Sequence, residues 1–324
     1  MPDPIITLRS FRGHADHAAL AEIAQRATAE PYTPERLAYE LSMPGINHAR
    51  DIAVCESNGR IIGYCVISVD DVRDVRQGRI TSRVPDDETN RAAASREILL
   101  WAAHRMQDEI NVTDRPVTMV EMVKEEDLDR REFLENSGFQ TIRYYKVMLL
   151  GNAAAVTELP LPPEYSYIHG PGHEGAREYV AMFNETWIDH YGFIPLTVDL
   201  YMHDLDDDPD YTPSLDIVLA RSDGRFVGFS FCRLEPSDPE LGEVMVIGIR
   251  RGSRGLGLGR ILLTHSVRTL VEHGAKRIEL AVDSENPTGA ERLYESVGFK
   301  VTSMKRRYQI GQDDIVRLAT LNAC

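Results

Sequence analysis

EVMVIGIRRGSRGLGLGR, residues 243–260, joins two different sequence patterns within eighteen positions. Glu243 to Ile249 is short, apolar and rich in β-branched residues, which predicts a buried strand. From Ile261 onward Leu263, Val267, Leu270 and Val271 recur at helical spacing, and Gly274 supplies a stop. The glycine-rich middle therefore turns a strand into a helix. Glycine lets backbone turn tightly and approach a ligand without a Cβ in the way. The first amides of the helix, near Gly257 to Arg260, lack acceptors within it and carry the positive end of its dipole. A phosphate group is the natural occupant of such a turn.

The kind of phosphate narrows by exclusion. A nucleoside triphosphate loop needs Gly-Lys-Ser/Thr at its close, whereas Arg260 is followed by Ile261. A dinucleotide fingerprint needs its third glycine where Arg260 stands. Four arginines (Arg250, Arg251, Arg254, Arg260) flank the turn in a chain of net charge −15, so a local cationic rim is expected.

The chain repeats itself. DIAVCESNGRIIGY from Asp51 parallels DIVLARSDGRFVGF from Asp216, and FLENSGF from Phe133 parallels LYESVGF from Leu293. The first pair reads as two strands about a polar turn at Gly59 or Gly224. Two markers in one order predict two copies of an α/β domain. The proline-bearing segment GNAAAVTELPLPPEY suggests a connector, which gives domains at 1–150 and 164–324 with a linker at 151–163. The copies differ at the turn: between Gly78 and Gly138 the first has no glycine.

Arg254-x-x-Gly257-x-Gly259 after VMVIGI resembles the acyl-CoA pyrophosphate loop of the GNAT acetyltransferases. IELAVDSENPTGAERLYESVGF resembles that family's second block, with Asn286 and Tyr294. The likeness runs from about Asp216 to Ile310 and covers the first domain in outline. It implies an α+β fold of two tandem GNAT domains, each a mixed, mostly antiparallel sheet flanked by helices. It also implies acetyl-CoA as co-substrate and a small-molecule amine as acceptor.

Residue roles follow from the same resemblance. Arg254, Gly255, Leu256, Gly257, Leu258, Gly259 and Arg260 are expected at the pyrophosphate end, and Asn286 is expected among the cofactor-binding residues. Val246, Ile247 and Gly248 are expected along the pantetheine arm and at the acetyl oxygen. Glu243 is the expected general base, with Glu240 a competitor, and Tyr294 the expected proton donor to the thiolate. Trp187, His190 and Tyr191 form an aromatic cluster that either packs a core or lid or meets the acceptor. At an offset of 160 Tyr294 corresponds to Leu134, so the first domain is expected to lack both loop and phenol and to hold no acetyl-CoA. A non-catalytic acyl-CoA sensor is the alternative of another class.

Composition bounds the rest. The charge of −15 argues against a general nucleic-acid binder, which needs a basic face. Cys55, Cys65, Cys232 and Cys324 lack metal-ligand spacing and read as reduced thiols, so no metal is expected. Arg9, Arg12, Asp16 and Glu22 interrupt any apolar leader, and VMLLGNAAAVT is too short for a bilayer span. A cytoplasmic protein without a membrane partner, monomeric or homodimeric, is the expectation.

Overall fold

The computed structural model describes residues 5–321. Cys324 lies outside them, while Cys55, Cys65 and Cys232 are buried free thiols. The chain folds as two compact units, one comprising residues up to Ile142 together with those from Arg307 onward, the other Arg143–Arg306.

In the first unit the elements are β1 (Ile6–Ser10), α1 (His14–Thr28), α2 (Pro34–Leu41), α3 (His48–Asp51), β2 (Ile52–Ser57), β3 (Arg60–Val72), β4 (Val75–Arg83), α4 (Arg91–Val112), β5 (Val117–Lys124) and α5 (Leu128–Asn136). The chain continues through β6 (Gln140–Leu150), β7 (Tyr165–His169), α6 (Gly172–Trp187), α7 (Val198–Asp207), β8 (Asp216–Arg221) and β9 (Phe226–Glu235). It ends with β10 (Asp238–Ile249), α8 (Leu258–Glu272), β11 (Arg277–Asp283), α9 (Ala290–Val297), β12 (Lys300–Ile310) and α10 (Gln312–Thr320). The second half thus repeats the element order of the first, as the paired sequence markers predict.

Strand order in the first unit is β1-β2-β3-β4-β5, with β12, whose Arg307–Ile310 end lies in this unit, beside β5; in the second it is β6-β11-β10-β9-β8-β7. Among the described pairings antiparallel ones dominate, and two are parallel: β4 with β5 and β10 with β11. The hairpin between β2 and β3 turns through Asn58 and Gly59 at φ 51° and 77°, the left-handed pair that a tight two-residue hairpin requires.

The unit boundary differs from the linker expected at 151–163. Tyr145–Leu150 of β6 pair with Ile278–Asp283 of β11 and bury Met148 and Leu150 in the second unit's core. The outer strand beside β5 comes instead from β12, whose Tyr308 and Ile310 are buried in the first unit's core. An amphipathic strand can add to either of two similar sheets, and its position in the chain does not say which.

Both faces of the second unit's sheet are covered. On one, Leu263, Val267 and Leu270 of α8 pack on Cys232, Val244 and Leu280. On the other, Tyr179 and Met182 of α6 and Tyr201 of α7 pack on Val218 and Phe229. Burying each such side chain is worth about 1.5–3 kcal/mol. These two layers fix β10 from both sides and so fix the loop that follows it.

Candidate active site

β10 and β11 run side by side only from Leu241–Val244 against Arg277–Leu280. In the pairing of β10 with β9, Val244 faces Cys232 and Val246 faces Phe231, so Met245 is an extra residue, a β-bulge. Past the bulge β10 continues to Ile249 without β11 beside it. The backbone edge of Val246–Ile249 that would have paired with β11 is left facing a cleft. That cleft measures about 210 Å³ and is lined by Ile247, Gly248 and Ile249, by the glycine loop, and by Tyr294 and His190. At Gly248 an added Cβ would lie 2.4 Å from Thr186 Cγ2, so a side chain there would displace α6.

The loop closes one end. Gly255 and Gly257 both adopt φ +78°, and nothing lies within 4 Å of where their Cβ atoms would be. Gly257 is the N-cap of α8 and offers no side-chain cap. The amides of Arg260 and Ile261 bond to the Gly257 carbonyl, at 3.1 and 3.2 Å. Those of Gly255, Leu256, Gly257, Leu258 and Gly259 have no acceptor among the described residues. Five adjacent donors at the positive end of a helix suit an anionic group. Leu258 is 2% exposed and anchors the first turn, whereas Leu256 is 62% exposed.

The expected four-arginine rim is narrower in the structure. Arg250 is buried between Glu178 (2.9 Å) and Glu185 (2.6 Å), and Arg251 pairs with Asp189. All three carboxylates come from α6 or just after it, which no local pattern around the loop announces. Arg254 donates to the carbonyls of Ile249 (2.9 Å) and Thr186 (3.2 Å), and Arg260 to that of Ser296 (3.1 Å). Neutral carbonyls leave the charges of Arg254 and Arg260 uncompensated, and Arg254 also braces the loop.

Tyr294, on α9, is buried beside Phe299 at a ring distance of 6.2 Å. Burial pushes its phenol up to about 12, so it keeps its proton at neutral pH. His190 stacks on Trp187 at 3.9 Å, and Trp187 on Phe183 at 5.6 Å. Burial lowers the His190 pKa, favouring the neutral ring. Tyr191 lies under the guanidinium of Arg143 at 4.5 Å, and Arg143 grips Asp283 (2.9 Å) and Glu285 (2.8 Å).

Val246, Leu256, Arg260, Trp187 and Tyr191 border the region without lining the cleft itself, and Glu243 and Asn286 also stand outside its lining. Glu243 lies on the paired part of β10, before the bulge, and accepts a bond from Arg233 at 2.5 Å. Asn286 uses its carbonyl oxygen in the turn after β11, accepting from the amide and hydroxyl of Thr288 at 2.8 and 2.5 Å. Thr186 and Thr288, which the sequence did not single out, do line the cleft.

The first unit has the same divergence with a different content. β4 and β5 pair through Arg76–Arg79 and Val117–Val120 and then part. The space between, about 300 Å³, is bordered by Arg130 and Glu121. Their side chains, 12% and 9% exposed, form a two-pronged ion pair at 2.7 Å for each bond. At the offset of 160 these positions are Ala290 and Ala281 in the second unit. α4 starts after Asn90 at φ −100°, without a glycine turn.

Residues 179–299 match the acetyltransferase (GNAT) family. This segment is a GNAT acetyltransferase domain. A mycothiol acetyltransferase from Thermomonospora curvata is 41% identical over 93 residues, which is 29% of this chain and 30% of that protein. One from Streptomyces avermitilis is 37% identical over 103 residues, 31% of this chain and 32% of that protein. Each likeness spans about a third of the relative's length.

Solved structures extend the GNAT fold over the whole chain. A tandem GNAT protein from the clavulanic acid biosynthesis pathway superposes with a TM-score of 0.71 at 14% identity, covering 95% of this chain and 98% of that one. A GCN5-related N-acetyltransferase from Sphaerobacter thermophilus gives 0.68 at 19% identity, covering 94% and 95%. The fold is tandem GNAT. Among the described residues no helix is long and apolar enough to cross a membrane.

Proposed function

We propose that the second unit moves an acetyl group from acetyl-CoA to the primary amine of a small molecule, by direct attack with both substrates bound. The observation that carries this reading is the cleft opened by the Met245 bulge, with free loop amides at one end and a protonated phenol inside. The amides of Gly255–Gly259 with Arg254 and Arg260 would hold the pyrophosphate, and the open edge of Val246–Gly248 the pantetheine arm. Asn286 shapes the turn leading into α9.

In the transfer the amine nitrogen bonds to the acetyl carbon and the carbon–sulfur bond breaks. The ammonium gives one proton to a base before attack. As the adduct collapses, Tyr294 gives its proton to the departing thiolate and regains one from the second proton that the nitrogen sheds on becoming an amide. Two groups compete for the base. Glu243 acts through water, from behind the bulge and beside Arg233. His190 is favoured by its place in the cleft lining and by the neutral ring that burial secures. Glu243→Gln and His190→Gln separate them: loss of the acidic limb of the kcat/KM profile in one variant alone names the base.

The acceptor is proposed as a small amine near the aromatic cluster of Trp187, His190 and Tyr191. The mycothiol acetyltransferase reading is the alternative. The likenesses that favour it cover 29% and 31% of this chain. The test is release of free thiol from acetyl-CoA against a panel of amines. Amine-dependent release supports the enzyme; tight binding of acetyl-CoA without turnover supports a sensor.

A further inference from the structure

Away from the cleft, two histidines of the second unit face each other. His169 ends β7 and His265 lies within α8, with their Nε2 atoms 3.3 Å apart. The opposite nitrogen of each ring is fixed. His265 Nδ1 lies 2.6 Å from Oε1 of Glu158, and His169 Nδ1 lies 2.8 Å from the Ser214 carbonyl oxygen. A carboxylate and a carbonyl only accept, so both Nδ1 atoms carry the hydrogen. Each neutral ring therefore turns an Nε2 lone pair toward the other. Two lone pairs at that distance repel unless a cation lies between them.

We propose that His169 and His265 form a binding site for a divalent transition-metal ion such as Zn²⁺. Nitrogen ligands about 2.0–2.1 Å from zinc at a tetrahedral angle stand roughly 3.3–3.4 Å apart, and the observed separation is 3.3 Å. Imidazole nitrogens suit zinc, nickel and copper, and an acceptor behind each ring raises its basicity and fixes its orientation. The rings are further held in place. Tyr167 stacks on His265 at 3.6 Å and 3°, and Ser214 is itself held by a 2.8 Å bond between its hydroxyl and His273 Nε2.

Among the described residues no third His, Cys, Asp or Glu joins the pair, so water completes the coordination and the site is open and exchangeable. A bound ion would fasten β7, the Glu158 segment and α8 to one another. The N-terminus of α8 carries the Gly257 loop.

Calorimetric titration of the full chain with Zn²⁺ tests this, with EDTA-treated protein as the starting material. The proposal predicts one saturable equivalent, weakened at least tenfold in His169→Gln and in His265→Gln. Glu158→Gln should weaken it by roughly tenfold. His169 is exposed, so its replacement reports on binding without opening a core. Unchanged Zn²⁺ affinity in His169→Gln would place the ion on other histidines and overturn the site. Absence of saturable binding in the unaltered chain would also overturn it, leaving one shared proton between the rings.

Discussion

Replacing Gly257 by alanine isolates the loop conformation from its chemistry. The residue sits at φ +78° and ψ −4°, and an added Cβ meets nothing within 4 Å. The penalty is then backbone strain alone, about 1–2 kcal/mol for an L-residue in the left-handed region. If the free loop keeps its shape, stability falls by that amount and affinity is untouched. If the free loop relaxes, the strain must be restored on binding, and the Kd for CoA rises by about 5- to 30-fold. Amides turned away from the phosphates add to the loss, at about 1.5–3 kcal/mol for each charged hydrogen bond. Gly252 is a matched control in the same loop, also with free space around its Cβ and without a left-handed φ. Calorimetry with CoA, paired with urea unfolding, reads both quantities. Gly252→Ala should match the parent in each, and Gly257→Ala should lose stability, affinity or both. A Gly257→Ala chain equal to Gly252→Ala in affinity and in stability would refute the reasoning.

Tyr294→Phe should lower kcat by about 100-fold while leaving acetyl-CoA affinity within about twofold, because a proton donor contributes roughly 10²–10⁴ to rate. Equal loss of binding would assign the phenol a packing role instead. Asp216 supplies a pH prediction. It is 1% exposed, accepts bonds from Tyr201 and Tyr211 at 3.1 Å each, and burial raises its carboxyl from 3.8 to about 6. A raised acid favours folding when protonated, so its contribution is present below about pH 4 and is lost as pH rises through about 6. The shift corresponds to about 3 kcal/mol. Relative to the parent, Asp216→Asn should gain stability between pH 5 and 8 (on the order of 2–3 kcal/mol); parallel curves would reject the assignment.

Much of the fold was legible because the two halves carry the same markers in the same order. The strand, turn and helix around Gly257 were readable from apolar spacing and glycine placement, and Leu263, Val267 and Leu270 are buried as that spacing requires. The assignment of β6 and β12 to the two sheets was not readable, since pairing partners far apart in sequence leave no local trace. The cleft was hidden for a similar reason: a one-residue bulge at Met245 changes no residue pattern. The arginine rim is narrower than the local sequence suggests because its partners Glu178, Glu185 and Asp189 arrive from α6 and the residues just after it, about 65 positions earlier (the reach of tertiary contacts rather than local chemistry). In the first unit the missing glycines were visible, but the Arg130–Glu121 pair in the equivalent cleft was not.

The central claim is that one of two similar clefts takes acetyl-CoA. Calorimetric titration of acetyl-CoA into the full chain, alongside a Gly257→Asp variant, tests it most directly. One site per chain is expected, lost or strongly weakened in the variant. Two sites per chain, or a single site unchanged by Gly257→Asp, would contradict it.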